Sequence, residues 1–439
     1  MKVIKFGSST ATSPQRLLEI ADLVSQHKGE SNIVVFSAID GTTESLEEIS
    51  DYLYKKNADG AKELTNNLER QYINWANKLY RDSDRCNEVK LYITEMFNSI
   101  REISKNIFTI FEEKRIIACG VTLSTHLMYE CLKEKGVNIK KLAAIDFMRI
   151  DKNEEPDVNY IKENLKKQLE LLGEADIYIT EGSICKNAYN EIDYLGIGGN
   201  DYTASLIGAA AHVDEIIFWS DSDGIYNNNP RIVKNAEPVK ELNFDEAAEI
   251  SYFLTRIIHP TCIMPAKLAN IPVRLMSIGN PNCEGTLISN DFTQNCIKAV
   301  ASKDGITSIR IKSGRMLMAH GFLRKVFEIF ENHKTAIDMV TTSEVGISIT
   351  IDNDRHIDEI MDSLKRFGTV SCQKGMTIVC IIGDLSCQNV GMQSCIVNAL
   401  EEIPTHMISY GGSPFNISFL ISTRDKDIAL NALNNQLFN

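Results

Sequence analysis

The 439-residue sequence lacks several features that would assign it to particular classes of protein. It has no apolar run near the roughly 20 residues that a membrane-spanning helix needs, and no apolar signal-peptide core precedes Gly7. Its 11 cysteines stand singly, without a C-x-x-C pair or a Cys/His cluster at zinc spacing. We therefore expect reduced, mostly buried thiols in a cytoplasmic protein, with no redox role, no protein-ligated metal and no membrane partner.

Positive charge is also scarce, since 46 Lys and Arg residues face 59 Asp and Glu residues, for a net charge of −13. Such an acidic surface disfavours nucleic acid or an anionic membrane as a main partner. It leaves nucleotides open, because local amides and one or two cations suffice to hold them. The hydrophobic fraction of 44% is that of an ordinary globular protein. The length exceeds what a single core comfortably supports, so we expect two or three domains.

Up to about residue 290, short β-branched runs alternate with amphipathic helical stretches. The runs are KVIKF, NIVVFSA, KLAAID, ADIYIT, EIIFWS and IPVRLMS. This alternation predicts a mainly parallel sheet covered by helices on both faces. A long helical stretch without strand signals predicts an insertion at about 52–114. We predict that the first domain spans 1–292, ending after the turn residues of NPNCEGTLIS.

The segment 300–439 contains two similar copies, which begin at Gly321 (GFLRKVFEIFENHK) and Gly391 (GMQSCIVNALEEIP). The spacing persists along the copies, because Ser343 corresponds to Ser413 and Ile347 to Ile417. Each copy has the pattern of a glycine, an amphipathic helix, a strand, a polar turn and a strand. An alternating strand, ITSIRIKS or MTIVCIIG, precedes each copy. The repeat predicts two ferredoxin-like modules.

Two strand ends in the first domain carry small polar residues. Lys5 ends the first apolar run and is followed by Gly7 and Ser8, so backbone amides and an ammonium could face a transferring phosphoryl group together. Ser37 and Thr43 follow the next run and suit a small acid or a phosphate. The alternative at this second position is an ordinary strand-turn-helix junction, with Thr42 or Thr43 capping the helix.

A glycine-rich turn, LGIGGNDYTA, leads directly into a helix in the middle of the chain. Gly198 and Gly199 form the turn, and an apolar Ile197 stands where an anion-binding loop normally has a donor. Asn200 and Asp201 are interpreted as helix caps, which gives Asp201 a structural explanation. The alternative is that the Asp201 carboxylate orients Lys5 or a bound metal.

The stretch FWSDSDGIYNNNPR carries an acid and amide cluster after another strand. It is not a calcium loop, because the required bidentate acid would fall near Ile232. Asp221, Tyr226 and Arg231 suit a nucleotide better, with a ring for stacking and a guanidinium for phosphate. In the following TRIIHPTCIMPAKL, Arg256 could meet a phosphate, and His259 is interpreted as an internal hydrogen-bonded residue.

In this order the motifs Lys-Phe-Gly, Ser-Ala-x-x-Gly-x-Thr, Leu-Gly-x-Gly-Gly-x-Asp-Tyr-Thr-Ala, Asp-x-Asp-Gly and His-Pro resemble those of aspartokinase, a member of the amino-acid kinase family. The resemblance covers essentially the whole chain. Through MLMAHGFLRKVFEIFENHKTAIDMVTTSEVGISITID it is strongest toward lysine-regulated, monofunctional aspartokinases. It implies an α/β fold, an amino-acid-kinase (carbamate-kinase-like) α/β/α sandwich followed by two ferredoxin-like α+β ACT modules.

The resemblance implies phosphorylation of the aspartate side-chain carboxylate by ATP with Mg²⁺, feeding lysine, threonine and methionine synthesis. It implies lysine as the effector and a homodimer or larger homo-oligomer formed through the ACT modules. Its implied catalytic residues are Lys5 and Asp201. Its implied ATP and phosphate contacts are Gly7, Ser8, Gly198, Gly199, Ser220, Asp221, Tyr226, Arg231 and Arg256. Ser37, Thr43 and Asn200 would bind the substrate. The implied lysine contacts are Met318, Gly321, Phe322, Leu323, Asp338, Thr342, Ser343 and Glu344.

Several residues depart from the family's pattern around the predicted amino-acid pocket. Val121 replaces the glutamate of a Gly-Glu pair that binds the substrate amino group. Ile197 and Asn200 replace an arginine and a serine that hold the α-carboxylate, and Ser183 replaces an aromatic residue. Each lost charge-assisted contact typically costs about 1.5–3 kcal/mol. We therefore expect a pocket that reads an α-amino acid less strongly.

At the nucleotide site, Asn229-Pro230-Arg231 replaces Asp-Pro-Arg, and Leu254-Thr255-Arg256 replaces Gly-Ala-Lys. Three hypotheses follow from this mixture of kept and lost residues. The chain is an aspartokinase with a remodelled pocket, a kinase of a less polar carboxylic acid, or a lysine-binding regulatory paralogue without activity. The kept phosphoryl-transfer residues favour the first.

Overall fold

The computed structural model describes residues 1–27, 29–105, 107–196, 198–253, 259–291, 296–314, 320–385 and 390–438. Ile197, Met318 and the 254–256 triplet with Arg256 lie outside the described residues. The chain divides into two compact units. The first comprises Met1–Ile225 and Arg256–Asp291, and the second comprises Tyr226–Thr255 and Phe292–Asn439. Among the described residues, no helix is both long enough and apolar enough to cross a membrane.

The described residues form strands and helices that alternate along most of the chain. The strands are β1 Lys2–Phe6, β2 Asn32–Phe36, β3 Ile139–Lys141, β4 Ile177–Glu181, β5 Ile184–Lys186, β6 Ile192–Tyr194, β7 Glu215–Ser220, β8 Glu241–Asn243, β9 Val273–Ser277, β10 Thr286–Ser289, β11 Ile297–Lys312, β12 Val340–Ser343, β13 Gly346–Ile351, β14 Thr369–Gly383, β15 Thr405–Tyr410 and β16 Asn416–Ser422. The helices are α1 Pro14–Ser25, α2 Thr42–Tyr54, α3 Ala58–Leu79, α4 Ser83–Ile103, α5 Ile110–Glu134, α6 Val158–Leu172, α7 Gly199–Ala211, α8 Phe244–Phe253, α9 Pro260–Leu268, α10 Phe322–Asn332, α11 Ile357–Leu364, α12 Met392–Ala399 and α13 Lys426–Leu437.

The sheet of the first unit has the order β3-β4-β2-β1-β7-β9-β10. All neighbours up to β9 are parallel, and β10 pairs antiparallel with β9. Every residue of β2 and β4 is buried, as expected for parallel strands with helices on both faces. The predicted parallel α/β sheet is therefore confirmed. One predicted strand is shorter than expected: β3 ends at Lys141, because 144–146 of KLAAID turns into a single 3₁₀ turn.

Two long antiparallel helices, α3 and α4, occupy much of the segment 52–114. Side-chain caps start both helices, since Asn57 accepts a hydrogen bond from the Gly60 amide and Asp82 accepts one from the Asp84 amide. Their apolar faces, which include Tyr72 and Phe97, enter the same buried cluster as the strands β1 and β2. The helical segment thus extends the core of the first unit instead of forming a separate one.

The second unit is built on a six-stranded antiparallel sheet with the order β12-β13-β11-β14-β16-β15. The long strands β11 and β14 pair along their length and are shared by two ferredoxin-like arrangements, one containing α10 and α11 and the other α12 and α13. Each arrangement has its own apolar cluster beneath its helices. The two ferredoxin-like modules predicted from the repeat are therefore confirmed.

The helix α8 also belongs to the second unit, although its sequence precedes residue 292. Asn243 starts it with a reciprocal cap, because its side chain accepts from the Glu246 amide while the Glu246 carboxylate accepts from the Asn243 amide. At the other end of the helix, Phe253 packs against an apolar cluster that contains Met339 and Met376. The end of α8 is thus attached to the six-stranded sheet of the second unit.

Candidate active site

Four parallel strands end at the same edge of the first unit's sheet. In the register, Phe6 of β1 lies between Phe36 of β2 and Trp219 of β7, and Phe36 in turn lies beside Glu181 of β4. The residues that follow these strands therefore meet at one edge, as expected for the carboxyl ends of parallel strands. They include Gly7, Ser8, Ser37, Ser183 and Asp221, which the sequence distributes over the whole domain.

The Lys5 ammonium and the Asp201 carboxylate form an ion pair at this edge. Lys5 Nζ lies 2.5 Å from Asp201 Oδ1, and each side chain is 13% exposed. The ring of Phe218 lies 5.7 Å from the same ammonium. Asp201 is the third residue of α7, so the pair stands at the helix start, where amide groups without intrahelical partners carry partial positive charge. The arrangement provides a cation and a helix N-terminus side by side.

The interpretation of Asn200 and Asp201 as caps of α7 is wrong. Gly198 is the cap residue, with φ 68° in the left-handed region, and the helix begins at Gly199. No side chain caps this end. The glycine turn starts the helix earlier than the Asn-Asp pair predicted, and this frees the Asp201 carboxylate to pair with Lys5.

The glycines of this turn are required by close packing as well as by conformation. A Cβ atom on Gly198 would lie 2.5 Å from the Cys262 Sγ, and one on Gly199 would collide with the Ser183 hydroxyl. Gly196 has nearly the same backbone angle, φ 67°, but its Cβ would meet nothing within 4 Å. The turn is therefore clamped by α9 on one side and by the 182–183 loop on the other.

Ser183, one of the departures from the family's pattern, has an unusual backbone. Its φ of 68° is rare for a residue with a side chain. Thr203 holds it in place, because the Thr203 hydroxyl accepts a hydrogen bond from the Ser183 amide at 2.9 Å and donates to the Gly199 carbonyl at 2.7 Å. Asn200 lies against Gly182, where a Cβ would meet its Oδ1. The loop after β4 and the start of α7 are therefore one packed unit.

The side chains of the other candidate substrate-binding residues differ in their exposure to solvent. Ser37 is 1% exposed, and its hydroxyl donates to the Phe6 carbonyl at 2.9 Å, which ties the ends of β2 and β1 together. Thr43 is half-buried in the first turn of α2. The cap of that helix is Gly41 with φ 77°, so the interpretation of Thr42 or Thr43 as the cap is wrong. Val121 is 7% exposed on α5 and adds no charge to the region.

A buried network of side-chain hydroxyl groups, which the sequence did not reveal, lies next to the start of α2. The Tyr72 hydroxyl of α3 lies 2.8 Å from the Thr42 hydroxyl and 3.1 Å from the Ser124 hydroxyl. Ser124 also accepts a hydrogen bond from the Ile39 amide. Burial raises the pKa of Tyr72 to about 12, so it remains a neutral donor. The network joins α3 to the loop after β2, and no local sequence signal identifies such a long-range contact.

Cys262 and His259 lie beneath the glycine turn. The Cys262 thiol is 3.3 Å from the Gly198 carbonyl. Burial, with the Asp201 carboxylate nearby, raises the pKa of Cys262 to about 12, so the thiol stays protonated. The His259 Nδ1 atom is buried without a hydrogen-bond partner, so the interpretation of His259 as an internally hydrogen-bonded residue is not supported at this atom. Neither residue carries the features of a nucleophile.

The nucleotide candidates are divided between the two units. In the first, the Ser220 hydroxyl donates to the Ser222 carbonyl at 3.1 Å, and Asp221 is exposed at the end of β7. In the second, Tyr226 is half-buried and Arg231 is exposed, with its amide donating to Asn229 Oδ1. No group of three or more His, Cys, Asp or Glu residues that could hold a metal occurs within the described ranges.

The regulatory candidates lie in the first ferredoxin-like module. Gly321 is the left-handed cap of α10, Phe322 is buried and Leu323 is 39% exposed. Asp338 precedes β12, and Thr342, Ser343 and Glu344 are exposed at the far end of that strand. A cleft of about 590 Å³ is lined by Thr342 and Ser343 together with basic side chains of β11. Asp338 and the residues 342–344 thus lie at opposite ends of one edge strand, whereas Gly321, Phe322 and Leu323 lie at the start of α10.

Comparison with known families gives two matches. Residues 1–277 match the family model described as the amino acid kinase family. Residues 379–437 match a model described as an ACT domain. These ranges correspond to the α/β sheet and its helices, and to most of the second ferredoxin-like module.

Individual proteins match over nearly the whole chain. Aspartokinase 1, chloroplastic, of Arabidopsis thaliana is 30% identical, over 99% of this chain and 80% of its own length. Lysine-sensitive aspartokinase 3 of Escherichia coli is 28% identical over 99% of both chains. Among solved structures, E. coli aspartokinase III in complex with lysine and aspartate has a TM-score of 0.87 at 28% identity, over 100% of both chains. The same enzyme with aspartate and ADP has a TM-score of 0.82 at 27% identity, again over 100% of both chains.

Proposed function

Because this chain belongs to the aspartokinase family, we propose that it uses ATP to phosphorylate the side-chain carboxylate of L-aspartate. A carboxylate oxygen attacks the γ-phosphorus, the bond from that phosphorus to the bridging oxygen breaks, and ADP leaves. The product is the acyl phosphate 4-phospho-L-aspartate. The observation that carries this proposal is the Lys5–Asp201 ion pair at the start of α7.

Catalysis of such a transfer depends on positioning and on neutralising charge, since the protein supplies little covalent chemistry. Lys5 would stabilise the equatorial oxygens of the transferring group, and the first amides of α7 would act with it. Asp201 would hold the ammonium in place at 2.5 Å when no phosphate is present. Gly7 and Ser8 follow Lys5 at the same edge and would contact the phosphates, as would Gly198 and Gly199.

For the nucleotide, we propose contacts from Ser220, Asp221, Tyr226 and Arg231, with Arg256 in the role that the family gives to a lysine. Mg²⁺ would enter with the phosphates of ATP and neutralise their charge, because this ion keeps several waters and takes few protein ligands. The Asp201 carboxylate fits that chemistry, since it is an oxygen ligand beside Lys5 at the start of α7.

For the acid substrate, we propose Ser37, Thr43 and Asn200 as the lining residues. Val121 and Ser183 supply neither of the charges that recognise an α-amino acid, which favours weak aspartate binding. The same observation motivates the alternative, a catalytically impaired or substrate-shifted paralogue that acts on a related carboxylic acid or serves as a lysine-binding regulatory protein.

We also propose regulation by lysine and a homo-oligomer assembled through the ACT modules. The lysine sensitivity named for the E. coli relative supports the first part. The edge strand β12, whose last two residues are exposed, offers a surface for the second. The pathway that we propose is the synthesis of lysine, threonine and methionine.

A panel of carboxylic acids with MgATP and hydroxylamine tests the substrate, because hydroxylamine traps acyl phosphates as hydroxamates. The proposal predicts that aspartate gives the highest yield, at a concentration in the millimolar range. A higher yield from a less polar acid would move the assignment to the substrate-shifted alternative. No product from any acid, with ATP and lysine still binding, would leave the regulatory alternative.

A further inference from the structure

The Asp338 carboxylate, which the family resemblance assigns to the lysine effector, already forms an ion pair with the ammonium group of Lys303. Lys303 of β11 places its Nζ atom 2.8 Å from Asp352 Oδ2, 3.1 Å from Asp338 Oδ1 and 3.0 Å from the Tyr252 hydroxyl. An ammonium has three N–H donors, so all three are used. The Tyr252 ring also lies over the ammonium, with its centroid 4.2 Å away, in the arrangement that favours a cation–π contact.

Asp338 is the most enclosed member of this group, with a side chain that is 3% exposed. Its Oδ1 accepts hydrogen bonds from Lys303 and from the Tyr252 hydroxyl. Its Oδ2 is buried and has no hydrogen-bond partner. A buried carboxylate oxygen without a donor is costly, so Asp338 gains a hydrogen bond if an effector's ammonium takes the place of the Lys303 ammonium and reaches both carboxylate oxygens.

The charges of the group also favour binding of a cation. Two carboxylates face one ammonium, which leaves the cluster of Asp338, Asp352, Lys303 and Tyr252 with a net charge of −1. Burial, with a hydrogen bond to Asp338, raises the pKa of Tyr252 to about 12, so the tyrosine stays neutral. Burial alone would lower the pKa of Lys303, but hydrogen bonds to Asp352, Tyr252 and Asp338 raise it overall. Lys303 therefore competes as a full cation.

The cluster is attached to α8 by two neighbouring residues of that helix. Tyr252 contributes its hydroxyl to Asp338, and Phe253 packs in the apolar cluster that contains Met339, the residue after Asp338. A change of occupant at Asp338 thus acts directly on the end of α8.

We infer that Lys303 is a built-in competitor for the effector's ammonium at Asp338, and that displacing it loosens Tyr252 and the end of α8. The inference rests on the proposed regulation by lysine, and it states what happens at Asp338 when lysine binds. The ligand class is an alkylammonium cation, of which free lysine is the candidate. Lys303 sets the effector's affinity because the effector must overcome an intramolecular ion pair.

Calorimetric titration of the full-length chain with L-lysine tests the competition. Lys303→Met keeps the aliphatic volume and removes the competing charge, so it should tighten lysine binding by about tenfold. The matched control is Lys374→Met, because Lys374 forms an exposed 2.7 Å ion pair with Asp354 in the same module. The control should bind lysine as the unmodified chain does, and Asp338→Asn should abolish binding.

The outcomes separate this inference from the proposed regulation. If the unmodified chain binds lysine and folded Lys303→Met binds it no more tightly, the inference is overturned and the regulation stands. If only Lys303→Met binds lysine, the inference stands and the regulation fails. If neither binds, both fail.

A second measurement covers the case in which Lys303→Met does not fold. Hydrogen exchange of residues 244–253 in the unmodified chain should become faster when lysine is added, because the Tyr252 contact is released. Unchanged or slower exchange would overturn the inference.

Discussion

The glycine turn before α7 allows two costs to be measured separately. Gly196 and Gly198 have φ values of 67° and 68°, so alanine at either position pays the same left-handed strain. That strain costs about 1–2 kcal/mol. Only Gly198→Ala also places a Cβ atom 2.5 Å from the Cys262 Sγ. Overpacking of this kind costs about 1–3 kcal/mol more. We therefore expect Gly198→Ala to destabilise the first unit by about 2–5 kcal/mol and Gly196→Ala by about 1–2 kcal/mol.

A variant that also removes the Cys262 sulfur tests whether this contact causes the extra loss of stability. In Gly198→Ala/Cys262→Ala the 2.5 Å contact disappears and only a 3.2 Å contact with the His259 Cβ remains, so the double variant should lose less than the two single variants lose together. Thermal unfolding of the four proteins and of the Gly196→Ala control gives the comparison. Equal losses for Gly196→Ala and Gly198→Ala, or strict additivity in the double variant, would refute the account of the clamped turn.

Three further predictions concern the same unit. Lys5→Met and Asp201→Asn should each lower hydroxamate formation by about 10²–10³-fold with unchanged circular dichroism; activity within threefold of the unmodified chain would remove the pair from catalysis. Tyr72→Phe should cost about 1–3 kcal/mol in thermal unfolding, whereas the control Tyr189→Phe, at an exposed position, should cost nothing measurable; equal effects would contradict the buried network. Burial, reinforced by nearby lysines, lowers the pKa of His126 from 6.5 to about 4, so the unfolded chain binds a proton that the folded chain excludes. Stability should fall as the pH drops from 6.5 toward 4, and His126→Gln should reduce that slope.

Much of the fold follows from sequence pattern. The β-branched runs that became β2 and β4 are buried on both faces, and this burial is what a continuous apolar run encodes. The repeat predicts the two ferredoxin-like modules because both copies share a local feature, a glycine cap before an amphipathic helix. Periodicity and turn chemistry are local, so a single sequence reveals them.

The site was less accessible to such reasoning. Sequence motifs indicate Lys5 and Asp201 as site residues. They do not indicate the cap of α7, because the Asn-Asp pair is typical of a cap while Gly198, with its left-handed φ, takes that position. The clash that fixes Gly198 involves Cys262, and the group around Lys303 joins α8 to β11 and to Asp338, which precedes β12. Contacts between distant segments leave no periodic trace in one sequence.

We propose that Lys5 and Asp201 serve phosphoryl transfer to a carboxylate. Phosphorus NMR of the full-length chain with MgATP and L-aspartate tests it most directly. We predict the growth of an acyl phosphate resonance together with ADP, and neither in the Lys5→Met variant. An acyl phosphate signal of equal size from Lys5→Met, or ATP binding without any acyl phosphate in the unmodified chain, would contradict the account.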